Sequence, residues 1–224
     1  MFPIRDSKSS GKFPFINLTI IAANLYIFWQ ELISPDIELY IASYALIPQN
    51  INFQNIETLT PFITSMFLHA GFLHILSNMW FLWIFGDNVE AAIGHIKYLL
   101  FYLSCGVAAS FVQYLFITDL TLPMLGASGA IAAVLGAYLR FFPNHKIDTL
   151  IPVFGLPIIV AVPASFMLIY WFFAQAFNGV ATIFAQTISI GGIAYIAHAG
   201  GFLTGVILSD FFAWSPWRKE VRQI

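Results

Sequence analysis

Four polar side chains suited to acyl transfer lie inside long apolar segments of this sequence. They are Ser128, His198 and the pair His74 and Asn78. A serine hydroxyl becomes a nucleophile when an imidazole takes its proton, and side-chain N–H groups can stabilise the oxyanion that its attack creates. The residue types therefore predict a serine hydrolase, provided that the segments carrying them bring these side chains together.

The composition is that of a membrane protein. Of the 224 residues, 59% are hydrophobic and 9% are charged, whereas an ordinary soluble domain carries about 25% charged residues. The apolar residues also lie in runs close to the roughly 20 residues that span a bilayer as a helix. We therefore expect an all-α, polytopic membrane protein. The net charge of −2 gives no basis for a nucleic-acid partner.

Six segments are predicted to span the membrane as helices. They cover residues 15–33, 62–85, 96–117, 126–139, a stretch within 156–177, and 190–213. The fourth of these segments is short. Residues 147–163 are apolar but carry three prolines, which disfavour a helix, so we interpret this stretch as an interfacial or re-entrant connection into the fifth span.

Basic residues predict the orientation of these spans. All nine lysines and arginines fall on one face of the six-span arrangement, and basic residues favour the cytoplasmic side. We therefore predict a cytoplasmic tail over residues 1–13, a membrane domain over 14–214 and a basic cytoplasmic tail over 215–224. The sequence shows no transit peptide, which favours a prokaryotic cytoplasmic membrane.

The polar residues are predicted to lie at one depth in the bilayer. Charged residues mark the inner ends of the three spans that carry them: Arg140, Asp210 and Asp87. At about 1.5 Å per helical residue, Ser128 and His198 lie roughly 18 Å from that boundary and His74 roughly 20 Å. Asn78 lies one turn away from His74 on the same helix face. The hydrolase residues thus fall in one layer of a core about 30 Å thick.

Small residues favour close contact between the fourth and sixth spans. His198 shares its helix face with Gly201 and Gly205, which are spaced by three and four residues. The fourth span has a small stripe that begins at Gly129, next to Ser128. Small faces let two helix backbones approach closely in a membrane, so these two spans can bring the hydroxyl and the imidazole together.

Several motifs taken together resemble the rhomboid intramembrane serine proteases. The resemblance is to rhomboids of the bacterial type, which have six transmembrane helices. The motifs are HAGFLHILSNMWFLWIFGDNVE at 69–90, GASGAIAAVLGAY at 126–138, and Ala197-His198 followed by Gly200, Gly201 and Gly205. A G-x-S-G sequence alone is a weak signal. The whole set, in this order and in these spans, is specific, and the resemblance extends over residues 61–205.

The resemblance implies a role for each matched residue. Ser128 attacks the scissile carbonyl, and His198 takes its proton and returns it to the leaving amine. The backbone N–H of Ser128, together with His74 and Asn78, holds the oxyanion, while Gly126 lets the chain pass close to the substrate. No acidic residue lies at this depth, so the pair would be a dyad that lacks the third member of a triad.

The remaining matches are structural by resemblance, and two positions depart from the family. His69 would support the outer loop, and Glu90 and Arg140 would tie the inner ends of the helices. Some rhomboids carry a tyrosine that packs on the catalytic histidine, where this chain has Ala132. The first loop, residues 34–60, also lacks the Trp-Arg motif that some members carry there.

The sequence disfavours two other classes of intramembrane protease. The sequence has no H-E-x-x-H motif, which disfavours a zinc protease, and Asp87 has no intramembrane acidic partner for an aspartyl protease. A catalytically silent rhomboid-like protein that binds membrane clients is the main alternative, although such proteins have usually lost the serine or the histidine. A transporter or proton relay is a further alternative, but the inverted repeats typical of transporters are not visible.

The predicted activity is hydrolysis of peptide bonds in or near transmembrane segments of other membrane proteins. The expected partners are these substrates and the lipid bilayer, and we expect neither a cofactor nor a metal. The resemblance implies a small residue before the cut. Because a helix hides its carbonyl groups, helix-breaking residues near the cut are expected to assist cleavage.

Overall fold

The computed structural model describes residues 1–153, 156–185 and 194–213, and the predicted basic tail at 215–224 lies outside them. Eight α-helices are present in these residues: α1 (Phe15–Ile33), α2 (Ile37–Tyr44), α3 (Pro61–Thr64), α4 (Phe72–Ile93), α5 (His95–Phe116), α6 (Ser128–Phe141), α7 (Ala164–Ala185) and α8 (Tyr195–Phe212). Three strands accompany them: β1 (Phe2–Asp6), β2 (Lys146–Val153) and β3 (Leu156–Pro163).

The protein is an integral membrane protein, but fewer helices are full spans than predicted. Within the described residues, four helices, α1, α5, α7 and α8, are long and apolar enough to cross a bilayer. A fifth span arises if α4 is counted with Ile56–Phe67, from which it is bent by 81°. Helix α6 has 14 residues, or roughly 21 Å of helix, which is shorter than a hydrocarbon core of about 30 Å. The prediction of six spans is therefore confirmed only in part.

A three-stranded antiparallel sheet shows that the all-α prediction was incomplete. Strands β2 and β3 form a hairpin that pairs Lys146 with Pro163 and Val153 with Leu156, and β1 pairs with the other edge of β2. The segment predicted as an interfacial connection is thus a hairpin, and the predicted N-terminal tail contains a strand. An apolar run rich in isoleucine and valine is ambiguous between helix and strand, and its prolines exclude a helix interior.

Helix α6 lies at the centre of the bundle. Nine consecutive residues, from Ala130 to Tyr138, are buried, and α4, α5 and α8 all pack against it. Most of these residues are small, so the surrounding helices approach its backbone closely. The first residue of α6 is Ser128, which therefore lies at one end of this buried central helix.

Polar side chains attach α1 to its neighbours. Buried Asn17 donates a hydrogen bond to the carbonyl of Leu82 and accepts one from the hydroxyl of Tyr98. The Glu90 carboxylate of α4 accepts the backbone N–H groups of Ile16 and Asn17, at 2.9 and 2.7 Å. These N–H groups lie in the first turn of α1, where a helix leaves its donors unpaired and favours negative charge.

Candidate active site

The turn before α6 depends on a glycine. Gly126 has a φ of +117°, a region that residues with a side chain rarely adopt. Its N–H donates to the carbonyl of Ser65 at 2.9 Å, and a Cβ added here would lie 2.8 Å from the imidazole of His74. The turn therefore brings the chain against His74 immediately before Ser128.

The glycines predicted on α8 pack directly against the backbone of α6. A Cβ on Gly201 would overlap the carbonyl oxygen of Gly129, and one on Gly205 would overlap the backbone of Ala133. Gly136 meets the backbone of Phe202 in the same way, farther along the interface. The two helices therefore pack backbone to backbone over the middle of α8, starting one turn after His198.

This packing places a hydroxyl beside an imidazole. The Oγ of Ser128 lies 2.7 Å from the Nε2 of His198, within hydrogen-bonding distance. Both residues are half-buried rather than enclosed, so neither is sealed inside the bundle. The arrangement has the geometry that a nucleophile and its general base require.

Helix α7 contacts the opposite side of the same imidazole. The Oε1 of Gln175 lies 2.8 Å from the Nδ1 of His198. The indole of Trp171 lies against the ring face, with centroids 5.9 Å apart and planes inclined by 27°. Ala132, which replaces the tyrosine of some rhomboids, is fully buried in α6. The ring is therefore held from α7.

His74 and Asn78, the two predicted oxyanion residues, have different surroundings. The ring of His74 lies against Gly126 and is half-buried. Asn78 is buried, and its Nδ2 lies 3.0 Å from the Nε2 of His69. An amide nitrogen carries two N–H donors, so this contact with His69 leaves one of them for another acceptor.

Some residues of the site were not predicted from the sequence. Gln175 contacts the imidazole, and the Oε1 of Gln113 accepts the backbone N–H of Ala197 at 3.0 Å, at the start of α8. Glu31 is buried and accepts the backbone N–H of His69 at 3.1 Å. The available signal was a polar residue in an apolar span, because such residues usually face the bundle interior.

Charged residues at the helix ends that were predicted to be cytoplasmic tie elements together. Arg140 of α6 forms an ion pair with Asp210 of α8, with an N–O distance of 2.9 Å. Glu90 is buried, holds the first turn of α1 and also contacts His95. These contacts lie away from Ser128, which fits the structural role that the resemblance implied for both residues.

The fold and site define a polytopic helical membrane protein whose bundle brings a serine and a histidine from two helices together. Comparison with known families matches the Rhomboid domain to residues 57–215. This match covers well over half of the chain, and the protein belongs to the rhomboid family.

Several curated relatives are similar over most of this chain. Presenilin-associated rhomboid-like protein A, mitochondrial, of Danio rerio is 31% identical over 169 residues, which cover 71% of this chain and 39% of that protein. The Bos taurus Presenilin-associated rhomboid-like protein, mitochondrial, is 28% identical over 198 residues, with coverage of 84% and 46%. Rhomboid-like protein 11, chloroplastic, of Arabidopsis thaliana is 29% identical over 188 residues, with coverage of 81% and 63%.

The chain spans less than two thirds of the length of each of these relatives. Their names assign them to mitochondria or chloroplasts. The similarity therefore establishes the family, while the activity, substrates and location of this protein are matters for proposal.

Proposed function

We propose that this protein is an intramembrane serine endopeptidase that cleaves peptide bonds in or near transmembrane segments of other membrane proteins. The observation that carries the proposal is the 2.7 Å separation between Ser128 Oγ and His198 Nε2. Membership of the rhomboid family and the position of this pair among membrane helices support it.

The proposed reaction is acyl transfer through the serine. His198 Nε2 takes the hydroxyl proton while Ser128 Oγ attacks the carbonyl carbon, which gives a tetrahedral oxyanion. The same imidazole then gives the proton to the leaving amine, and an acyl-enzyme remains. A water molecule, deprotonated by His198, hydrolyses the ester and restores the free serine.

The oxyanion is proposed to bind at the start of α6. The N–H groups of the first helical turn have no intrahelical partner, and the helix dipole favours negative charge there. His74, which lies against the turn at Gly126, and the second N–H of Asn78 would add side-chain donors. Donors already aimed at the developing charge lower the barrier most effectively.

The proposed substrate is a transmembrane segment that can unwind near the site. Ser128 at the start of the short helix α6 and His198 of α8 are both half-buried. A substrate peptide must expose a backbone carbonyl to reach them. Six helices that cross or enter the bilayer, with both ends of the chain in the cytoplasm, are part of the proposal. A prokaryotic cytoplasmic membrane stays a prediction, since the reported relatives are organellar.

Covalent labelling tests the class of protein directly. Purified protein is treated with a fluorophosphonate probe in lipid bicelles, and the labelled residue is identified by mass spectrometry. The proposal predicts a label on Ser128 that is lost in Ser128→Ala and His198→Ala. A wild-type protein that stays unlabelled while its melting temperature shows it folded would contradict the proposal and favour a silent client-binding protein.

A further inference from the structure

Both ring nitrogens of His198 have a partner, and the two partners come from different helices. Nε2 faces Ser128 of α6 at 2.7 Å, while Nδ1 faces the amide oxygen of Gln175 of α7 at 2.8 Å. A third contact is the indole of Trp171, which lies one helical turn before Gln175 and stacks on the ring. The imidazole is thus constrained at both nitrogens and on one face.

We propose that Gln175 is a positioning residue that fixes the tautomer of His198, in the place that an acidic residue occupies in a Ser-His-Asp triad. The proposal rests on the proposed peptidase function, because it assigns a role in that reaction. Gln175 does not touch the reacting atoms and acts only through the ring of His198.

The tautomer of a neutral imidazole decides which of its nitrogens can accept a proton. Such a ring carries one N–H, and its other nitrogen is an acceptor. When Nδ1–H donates to the Gln175 oxygen, Nε2 keeps the lone pair that accepts the Ser128 proton. The opposite tautomer would put an N–H toward Ser128 and could not take that proton. The third member of a triad acts in this way, by holding the imidazole in the correct tautomer.

An amide suits this position in a membrane better than a carboxylate does. A charged side chain inside the bilayer is costly, whereas a glutamine keeps a carbonyl acceptor without a charge. After His198 has taken the serine proton, both ring nitrogens are donors. The Gln175 oxygen therefore accepts from Nδ1 before and after the transfer, and no rearrangement is required.

The contacts of α7 also account for the missing tyrosine. Position 132 is an alanine buried in α6, so no aromatic ring reaches His198 from that helix. Trp171 supplies a stacked ring from α7 instead, and it contacts Phe202 of α8 as well. Gln175 and Trp171 are four residues apart, so they share the face of α7 that packs against α8.

The test is a measurement of the tautomer by nitrogen-15 NMR on histidine-labelled protein in bicelles. The His198 signals are assigned by their loss in His198→Ala. Wild type is expected to show Nδ1 protonated and Nε2 unprotonated at neutral pH. Gln175→Leu removes the acceptor and is expected to shift the population toward the Nε2–H form. Gln175→Glu keeps an acceptor oxygen, at a cost in stability because it adds a charge inside the bilayer, and is expected to restore the wild-type tautomer.

Gln113→Leu is the matched control, because Gln113 also supports α8 beside His198 but contacts the backbone of Ala197 rather than the ring. This variant is expected to leave the tautomer unchanged.

Loss of an outer partner of a metal-bound histidine costs about 10- to 100-fold in activity. By analogy, Gln175→Leu is expected to lower kcat for a cleaved substrate by a similar factor, with KM little changed and rescue by Gln175→Glu.

The outcomes separate the two proposals. If wild type is labelled at Ser128 but Gln175→Leu keeps the wild-type tautomer, or if Gln113→Leu shifts it equally, the role of Gln175 is refuted and the peptidase function stands. If wild type is never labelled and Gln175→Leu still shifts the tautomer, the contact is real and the peptidase function fails. A melting temperature for each variant shows that it is folded.

Discussion

Gly201 of α8 lies directly against the backbone carbonyl of Gly129 of α6, with no room between them for a side chain. This contact and the similar one between Gly205 and Ala133 set the distance between the two helices. The hydrogen bond between Ser128 and His198 depends on that distance, because the two side chains project from these same helices.

A single added methyl group at this interface is expected to be costly. In Gly205→Ala the new Cβ would overlap the backbone of Ala133, which cannot move aside as a flexible side chain would. Overpacking of this kind costs about 1–3 kcal/mol. We expect a lower melting temperature in detergent and a loss of Ser128 labelling, because α8 is displaced from α6.

Gly179→Ala is the matched control for that variant. Its new Cβ would lie 2.6 Å from the Cδ1 of Ile196, the mobile end of a side chain, and alanine favours a helix over glycine by up to about 1 kcal/mol. We expect a melting temperature equal to that of wild type or slightly higher. Equal destabilisation by the two variants would show that the packing of α6 on α8 is not limiting.

The carboxylate of Glu90 is expected to be important for stability rather than for the chemistry. It is buried and accepts two N–H groups at the start of α1, and hydrogen bonds to a charged group contribute about 1.5–3 kcal/mol. Glu90→Gln is expected to lower the free energy of unfolding by about this amount. Glu38→Gln, at an exposed position, serves as the control and should unfold as wild type does; an unchanged Glu90→Gln would refute the role.

Stability is expected to fall in acid because of His145, which lies outside the membrane helices. His145 is buried beside Tyr138, and burial lowers its pKa, although Asp6 partly opposes this effect and Lys8 adds to it. The unfolded state binds a proton near its ordinary pKa of about 6.5, while the folded state does so only at lower pH. The stability that neutral His145 contributes is therefore complete above the unfolded-state pKa of about 6.5 and is lost as the pH falls below it.

The measurement is the melting temperature of wild type and His145→Gln between about pH 8 and pH 5, a range that covers the titration of a histidine. Wild type should lose stability more steeply than the variant as the pH falls below about 6.5. Parallel curves for the two proteins would show that His145 does not contribute to the pH dependence.

Asn78 is expected to affect the chemical step more than substrate binding. One of its two N–H donors is directed at His69, and the other is proposed to reach the oxyanion. Removal of one oxyanion donor costs about 100- to 1,000-fold in kcat. Asn78→Ala should lower kcat by that order with KM nearly unchanged. A variant with normal kcat would remove Asn78 from the oxyanion site.

His69→Gln tests whether the effect of Asn78 is direct. His69 holds the amide of Asn78 but is not proposed to contact the substrate. We expect a smaller loss of kcat than in Asn78→Ala, because the glutamine amide can still hydrogen-bond to Asn78. Equal losses in both variants would indicate that the pair acts only by supporting the loop.

Long apolar segments made the helices predictable, and short or ambiguous ones did not. The predicted span 15–33 coincides with α1, and 96–117 differs from α5 by one residue at each end. The prolines at 152 and 157 excluded a helix interior, but the pairing of β2 with β3 and with β1 involves distant parts of the chain. Periodicity within one segment carries no information about such partners.

In the site, the depth of each residue in the bilayer could be predicted from the sequence, but the direction in which each helix face points could not. Counting along helices predicts that Ser128 and His198 lie at one depth, and the structure places their side chains 2.7 Å apart. Counting residues does not predict which face of α7 meets α8, so the contacts of Gln175 and Trp171 with the imidazole could not be foreseen. The rotation of a helix about its axis depends on packing against all its neighbours.

The most direct test of the central claim is a cleavage assay in lipid vesicles with a helix-broken transmembrane substrate. Wild type is compared with Ser128→Ala and His198→Ala, at equal reconstitution and equal melting temperature. We predict cleavage by wild type and a fall in rate of roughly three orders of magnitude or more in each variant. Cleavage by Ser128→Ala at the wild-type rate would contradict the assignment of Ser128 and His198 as the catalytic pair.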